Sequence, residues 1–348
     1  MSRASFFRTF RAVLAEIDVG PLRQQVQKPL RLVLMGSDAE ALAQVRAALQ
    51  TDPFRPTATA PAATVSTYRL PATAVELNQA IAADGVLLIL AAGQMDRRFE
   101  AEALTALLAT RPRPPVMWVH WGEDETTAPS APHGADGEVF VHPATAAGLA
   151  AALLPTLRQW WPERGPAIGY HIPGLRAAVA EHLIEETCLI NATFVAGTGL
   201  AEIMPILGLP LSVADMVVLT KNQALLSYKL ALTLGYDGTA AELLGPLAGV
   251  IGAGFLWRQL ARTLVGLIPG LGLPAKIAVA YAGTYVTGYA VYHWYAYGQT
   301  LSRARLRALQ REALARGRAR AAAMIAGWQP KRPAAPTSKS PDATHRRP

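Results

Sequence analysis

The sequence predicts a doubly wound α/β domain, then an all-α apolar helical domain, then a basic tail. Three observations carry this. Between residues 30 and 162, short apolar runs alternate with Ala/Leu-rich stretches of helical period. After about residue 166 the strand signals stop, and the pattern stays helical to residue 328. Residues 303–348 hold twelve Lys/Arg against two acids, a net +10, while the first 302 residues sum to −2 and the whole chain to +8.

The elements follow in order. Residues 1–28 place Phe6, Phe7, Phe10, Val13, Leu14 and Ile17 at helical spacing, with Arg3, Arg8 and Arg11 beside them. An amphipathic helix is expected there, packed on the body or lying on a membrane surface. The stretch lacks an unbroken apolar core and a small-residue cleavage site, so it does not read as a secretory signal. The soluble parts are therefore expected in the cytoplasm. In the α/β domain, 29–163, the expected strands are "LRLVLM" (30–35), "TVSTYRL" (64–70), "GVLLIL" (85–90), "PVMWVH" (115–120) and "EVFVH" (138–142). Helices are expected at 38–50, 73–83, 97–109 and 145–160. Continuous apolar strands suit a sheet covered on both faces. The helical domain is placed at 166–302, an Arg-rich helix at 303–328 and a disordered tail at 329–348, where Pro and charge dominate.

Composition narrows the function classes. Hydrophobic residues make up 51% and charged residues 17%, with mean hydropathy +0.20, so apolar surface must face a large core or lipid. The single cysteine, Cys188, excludes an internal disulfide and a cysteine-rich metal site, and its apolar surroundings predict a buried thiol. No Ser/His/Asp, Cys/His or paired-carboxylate constellation stands out. His182 and Glu186 lie one helical turn apart, but no further ligand stands near them in sequence, so no metal is expected. No cofactor is expected either.

The turn after the first strand decides the reading of the α/β domain. A phosphate-binding loop reads Gly-x-x-x-x-Gly-Lys-Ser/Thr. Laid from Gly36, this chain has "GSDAEALA". Ala41 stands for the second glycine, Leu42 for the lysine and Ala43 for the hydroxyl. Ser37 and Glu40 have the spacing of a capping box, and Asp38 and Glu40 put negative charge where phosphate would sit.

The order of elements over 30–160 resembles a Ras-like small GTPase domain of the bacterial Era-like sort. Its other motifs are missing: "STYRLPATA" has no Asp-x-x-Gly, "WGED" keeps only Asp124 of the guanine-reading motif, and "HPA" replaces the last one. The resemblance therefore implies a pseudo-GTPase domain.

In the helical half, Pro210, Asp215, Gln223, Gly235, Arg258-Gln259-Leu260 and the "IPGLG" turn make residues 166–300 similar to the bacterial DUF six-nine-seven family, which includes YcjF-like inner-membrane proteins and often follows GTPase domains. That family brings no catalytic residues. Ser212 and Asp215 form another capping pair, and Asp215, Lys221 and Gln223 either line a site or serve caps and helix surface.

Residues 277–297 carry no formal charge over 21 residues, long enough to span a bilayer. Tyr292, Trp294, Tyr295 and Tyr297 cluster at one end like an interfacial belt. Arg303, Arg305, Arg307, Arg311, Arg316, Arg318 and Arg320 follow, as anionic lipid would favour. A second, shorter candidate is 243–257, whose Gly245 and Gly249 give a close-packing face. The alternative is a soluble bundle with a Gly/Ala-rich core.

Three functions compete. The first is a non-catalytic protein of the inner membrane, with a pseudo-GTPase binding platform and basic tail on the cytoplasmic side. It would engage anionic lipid and a protein partner, and could form a homo-oligomer. The second is an atypical GTP-binding hydrolase using Arg69 or Arg97 at the Gly36 turn. The third is an adaptor binding nucleic acid or an acidic partner through its tail. Nucleic acid is disfavoured because Trp328 is the sole aromatic in 303–332.

Overall fold

The computed structural model describes residues 18–55, 64–126, 128, 131–201, 213–245 and 272–326. The expectations for 1–17, 246–257 and 329–348 lie outside them, as does the Ser212–Asp215 pair. The short helix α1 (Gly20–Gln27) precedes β1 (Leu32–Gly36), α2 (Ala39–Gln50), β2 (Val65–Arg69), α3 (Ala74–Ile81) and β3 (Gly85–Ala91). Then come α4 (Arg98–Leu108), β4 (Val116–Trp121), β5 (Gly137–Val141) and α5 (Ala146–Trp160). The strands form one parallel sheet in the order β2-β1-β3-β4-β5.

The alternation of side chains along β1 sorts the two faces. Leu32 and Leu34 point to one core with Leu42, Val45 and Leu49 of α2 and Leu153 and Leu157 of α5. Val33 and Met35 point to the other, with Ala80 of α3 and Leu104 and Leu107 of α4. Every residue of β1 and β4 is buried because helices cover both faces. This half is an α/β sheet covered on both faces, consistent with the doubly wound domain that the sequence predicts.

Among the described residues, the helical half includes α6 (Gly165–His171), a 3-10 turn at Pro173–Leu175, α7 (Arg176–Ala201), α8 (Val213–Thr233), α9 (Leu273–Tyr297) and α10 (Arg303–Ala326). Its core is not separate. One apolar cluster runs from the α2/α5 face of the sheet through Ile168, Leu175, Ile184 and Tyr281 into α9 and α10. The boundary near residue 163 thus marks a change of element type and not a gap in packing.

Helix α9 is the correction to the expected span. Tyr281 to Gly288 are buried without interruption, which is more than two turns, so the helix is enclosed on all sides by protein. Its neighbours are α7, α8 and α10. Among the described residues, no helix is long and apolar enough to cross a membrane. A buried amide chain pins the bundle: Asn222 Nδ2 donates to Asn191 Oδ1 at 2.7 Å, and Asn191 Nδ2 to Thr284 Oγ1 at 2.8 Å. Gln223 is buried beside them, while Lys221 is exposed.

His171 closes α6 against α1 by donating from Nε2 to the Val26 carbonyl at 2.9 Å. Burial pushes His171 below its ordinary value of 6.5. His182 is lowered too, first by burial and then by the charge of Arg158. The unfolded chain therefore binds protons that the folded chain refuses as pH falls through 6.5. Stability is fully present above that value and declines below it. Urea unfolding should show a lower midpoint at acidic than at neutral pH, and His171→Gln with His182→Gln should flatten the dependence. An unchanged slope in that double variant would remove these histidines from the account.

Candidate functional site

In an open parallel sheet, ligands collect at the carboxyl ends of the strands where the connections diverge to opposite faces. Here that point lies between β1 and β3, since α2 and α4 lie on opposite sides. The turn holding Gly36 is at this crevice. Gly36 is required there because a Cβ would sit 2.8 Å from the Ile89 carbonyl of β3. Only Ser37 and Asp38 separate β1 from α2, so no loop is left to wrap a phosphate.

The turn's chemistry differs from the expected capping box. Asp38 is the N-cap, its carboxylate accepting from Ala41 N–H at 2.8 Å. Glu40 accepts from Gln44 at 3.0 Å and does not reach back to the turn. Ser37 is drawn off by a distant residue: its N–H and its hydroxyl both donate to Glu100 Oε1, at 2.8 and 2.6 Å. Glu100 is fully buried on the first turn of α4. Gln94 Nε2 gives the same oxygen a third donor at 2.9 Å and also bonds Ser37 Oγ at 3.0 Å. All three donors fall on Oε1 and offset part of the cost of burial, while the buried Oε2 has no partner among the described residues. The Ser37 N–H is thus already taken by a carboxyl oxygen of the protein itself.

Of the expected hydrolase cations, Arg69 does reach the turn, donating from Nε to the Ser37 carbonyl at 3.2 Å. Arg97 turns to Gln94 O at 3.3 Å and lies 3.9 Å from Glu123 Oε2. Ala43 and Leu42 line a shallow groove of about 400 Å³ between α2 and β2, together with Arg46 and Arg69. Neither side chain offers a group for phosphate or metal.

A second polar group lies at the end of β4. His120 is fully buried, stacked on Phe140 with ring centroids 4.4 Å apart, and bonded through Nε2 to Glu138 at 2.7 Å. Its Nδ1 is 3.6 Å from Glu123 Oε2, and Glu123 Oε1 accepts from Gly93 N–H at 2.8 Å. Asp124 is engaged in its own turn, accepting from Thr126 N–H and Oγ1 at 3.0 and 2.7 Å. Glu100, Gln94, His120 and Glu123 all escape sequence reasoning. Their decisive partners lie on other segments: Ser37 after β1 for Glu100 and Gln94, Glu138 of β5 for His120, and Gly93 after β3 for Glu123.

The expected membrane residues are divided. Tyr292 and Tyr295 are buried and Trp294 is half-buried, so they do not form an interfacial belt. Tyr292 meets Phe54 edge-on at 5.6 Å, and Tyr295 donates to the Leu243 carbonyl at 2.7 Å. Arg303, Arg305, Arg307 and Arg311 are exposed on α10, a helix docked on α9 through Leu306, Leu309, Ala313, Gly317 and Ala321. The expected basic segment is therefore part of the bundle. His182 and Glu186 flank Arg158, at 3.4 and 3.3 Å. Cys188 is buried, and burial pushes its thiol far up, out of reach of the nucleophilic thiolate.

Comparison with protein-family models, with curated proteins and with solved structures finds no significant match.

Proposed function

We propose that this chain is a non-catalytic docking protein. In this reading its α/β half is a pseudo-GTPase platform, and the bundle presents a basic helix to an anionic partner at the cytoplasmic face of the inner membrane. The observation that carries the reading is Glu100 Oε1 seated on Ser37 N–H and Oγ, in the turn where a phosphate loop would carry its ligand. Asp38 and Glu40 add negative charge at the same helix end, which repels phosphate.

Arg69 at the Ser37 carbonyl favours the second reading, an atypical nucleotide hydrolase with its cation supplied from β2. Titration calorimetry of the full chain with GTP, GDP and ATP in magnesium separates the two. The expected result is no saturable heat with any of them. Micromolar binding that is lost in Arg69→Ala would overturn the non-catalytic reading.

A further inference from the structure

Helix α10 carries seven arginines and one acid, Glu312. The fold satisfies them on one flank only. Arg316 pairs with Glu312 at 2.9 Å and lies over the Tyr285 ring at 5.2 Å. Arg320 crosses to Glu185 of α7 at 2.9 Å, and Glu185 also accepts from Tyr281. At about 100° per residue, Arg305 projects from this same flank, though its own side chain makes no ion pair among the described residues.

The opposite flank is different. Arg303, Arg307 and Arg311 recur every fourth residue and Arg318 continues the line, all exposed and none in an ion pair among the described residues. Like charges one turn apart repel each other and disfavour the helix. Docking on α9 holds them in place regardless. Gly317 sets this geometry, since a Cβ there would meet the Ala278 carbonyl at 2.5 Å. The line ends on Ile325, one of the few large exposed apolar side chains among the described residues, seven residues beyond Arg318.

We propose that Arg303, Arg307, Arg311, Arg318 and Ile325 form a strip that seats on an anionic lipid bilayer surface. The proposal rests on the docking reading above and names its partner. The arginines meet headgroup phosphates, and Ile325 enters the boundary between headgroups and acyl chains. A nucleic acid duplex suits the strip less well. The helix offers no aromatic ring for a base to stack on, its exposed acid Glu312 would repel a phosphate backbone, and Ile325 would have no seat.

The test is co-sedimentation of the full chain with vesicles of phosphatidylcholine alone or with roughly 30% phosphatidylglycerol, which gives the surface a negative potential. Two variants remove equal charge: Arg303→Gln/Arg307→Gln/Arg311→Gln from the strip, and Arg305→Gln/Arg316→Gln/Arg320→Gln from the other flank. Binding only to anionic vesicles is expected. The strip variant should lose about 100-fold in affinity, with a much smaller loss in the other. Circular dichroism and thermal melts check that both fold; if the second does not, Arg305→Gln with Arg318→Gln singly compares the flanks. Ile325→Ser should weaken binding severalfold at unchanged charge. Equal losses in both variants, or no anionic preference, would overturn the strip while leaving the calorimetric result standing. So would tight binding of a DNA or RNA duplex through the strip arginines with none to vesicles.

Discussion

Replacing Asp52 with alanine is expected to cost about 3–5 kcal/mol of folding stability, the penalty for stranding a buried charge. Asp52 follows α2 and is 1% exposed, and Arg176, the first residue of α7, is 9% exposed. Arg176 Nη1 donates to Asp52 Oδ2, and its Nε donates to the Gly169 carbonyl at 3.1 Å. Burial lowers Arg176 from its ordinary range, and Asp52 is what opposes that. The guanidinium also occupies the space a Cβ at Gly235 would need, where φ is +82°. Arg55 extends the clasp, donating to the Leu234 carbonyl at 2.8 Å and lying 4.7 Å from the Tyr236 ring centre. Urea unfolding of Asp52→Ala, Arg176→Met and the double variant measures the coupling. The double variant should recover much of the single losses, because no uncompensated charge remains. Additive losses would mean the pair is not a unit.

Gly174→Ala is expected to do at least as much damage, above about 4 kcal/mol, for a steric reason. Gly174 lies in the turn Pro173–Leu175, pressed on the last turn of α2. A methyl there would run into the Ala48 carbonyl oxygen and lie 2.9 Å from both Ala48 C and Leu49 Cα. These are backbone atoms of a helix, so no side chain can swing aside. Relief requires the turn to lift from α2, exposing Ile172, Leu175 and Leu49, all buried. Gly197→Ala is the control. Nothing lies within 4 Å of its Cβ position, and alanine there should be neutral or stabilising by up to ~1 kcal/mol. If Gly174→Ala unfolds with the midpoint of the parent chain, the seam between the sheet and the bundle is softer than its contacts imply.

Both variants strike the seam, and the seam is what sequence reasoning does not reach. Asp52 and Arg176 are 124 positions apart, and each reads locally as an ordinary loop or helix-start residue. The same holds at the Gly36 turn. Ser37-x-x-Glu40 and Asp38 with its following residues both satisfy local capping rules. The choice between them falls to Glu100, 63 positions away, which claims Ser37.

What the sequence determined by itself is the run of strands and helices and the doubly wound sheet. Those depend on local periodicity and on apolar runs with a definite length, such as "LRLVLM" opening β1. It also determined that the turn after β1 lacks the residues of a phosphate loop. The tertiary structure alone decided what covers the apolar surface. Residues 277–297 are free of charge because something excludes water from them, and hydropathy does not distinguish lipid from protein as that something. Here α7, α8 and α10 surround α9, so its Tyr281, Tyr292 and Tyr295 face neighbouring side chains. The arginines show the same limit. The sequence counts seven on α10, and only the packing of that helix sets a flank where Arg316 and Arg320 find acidic partners apart from one where none does.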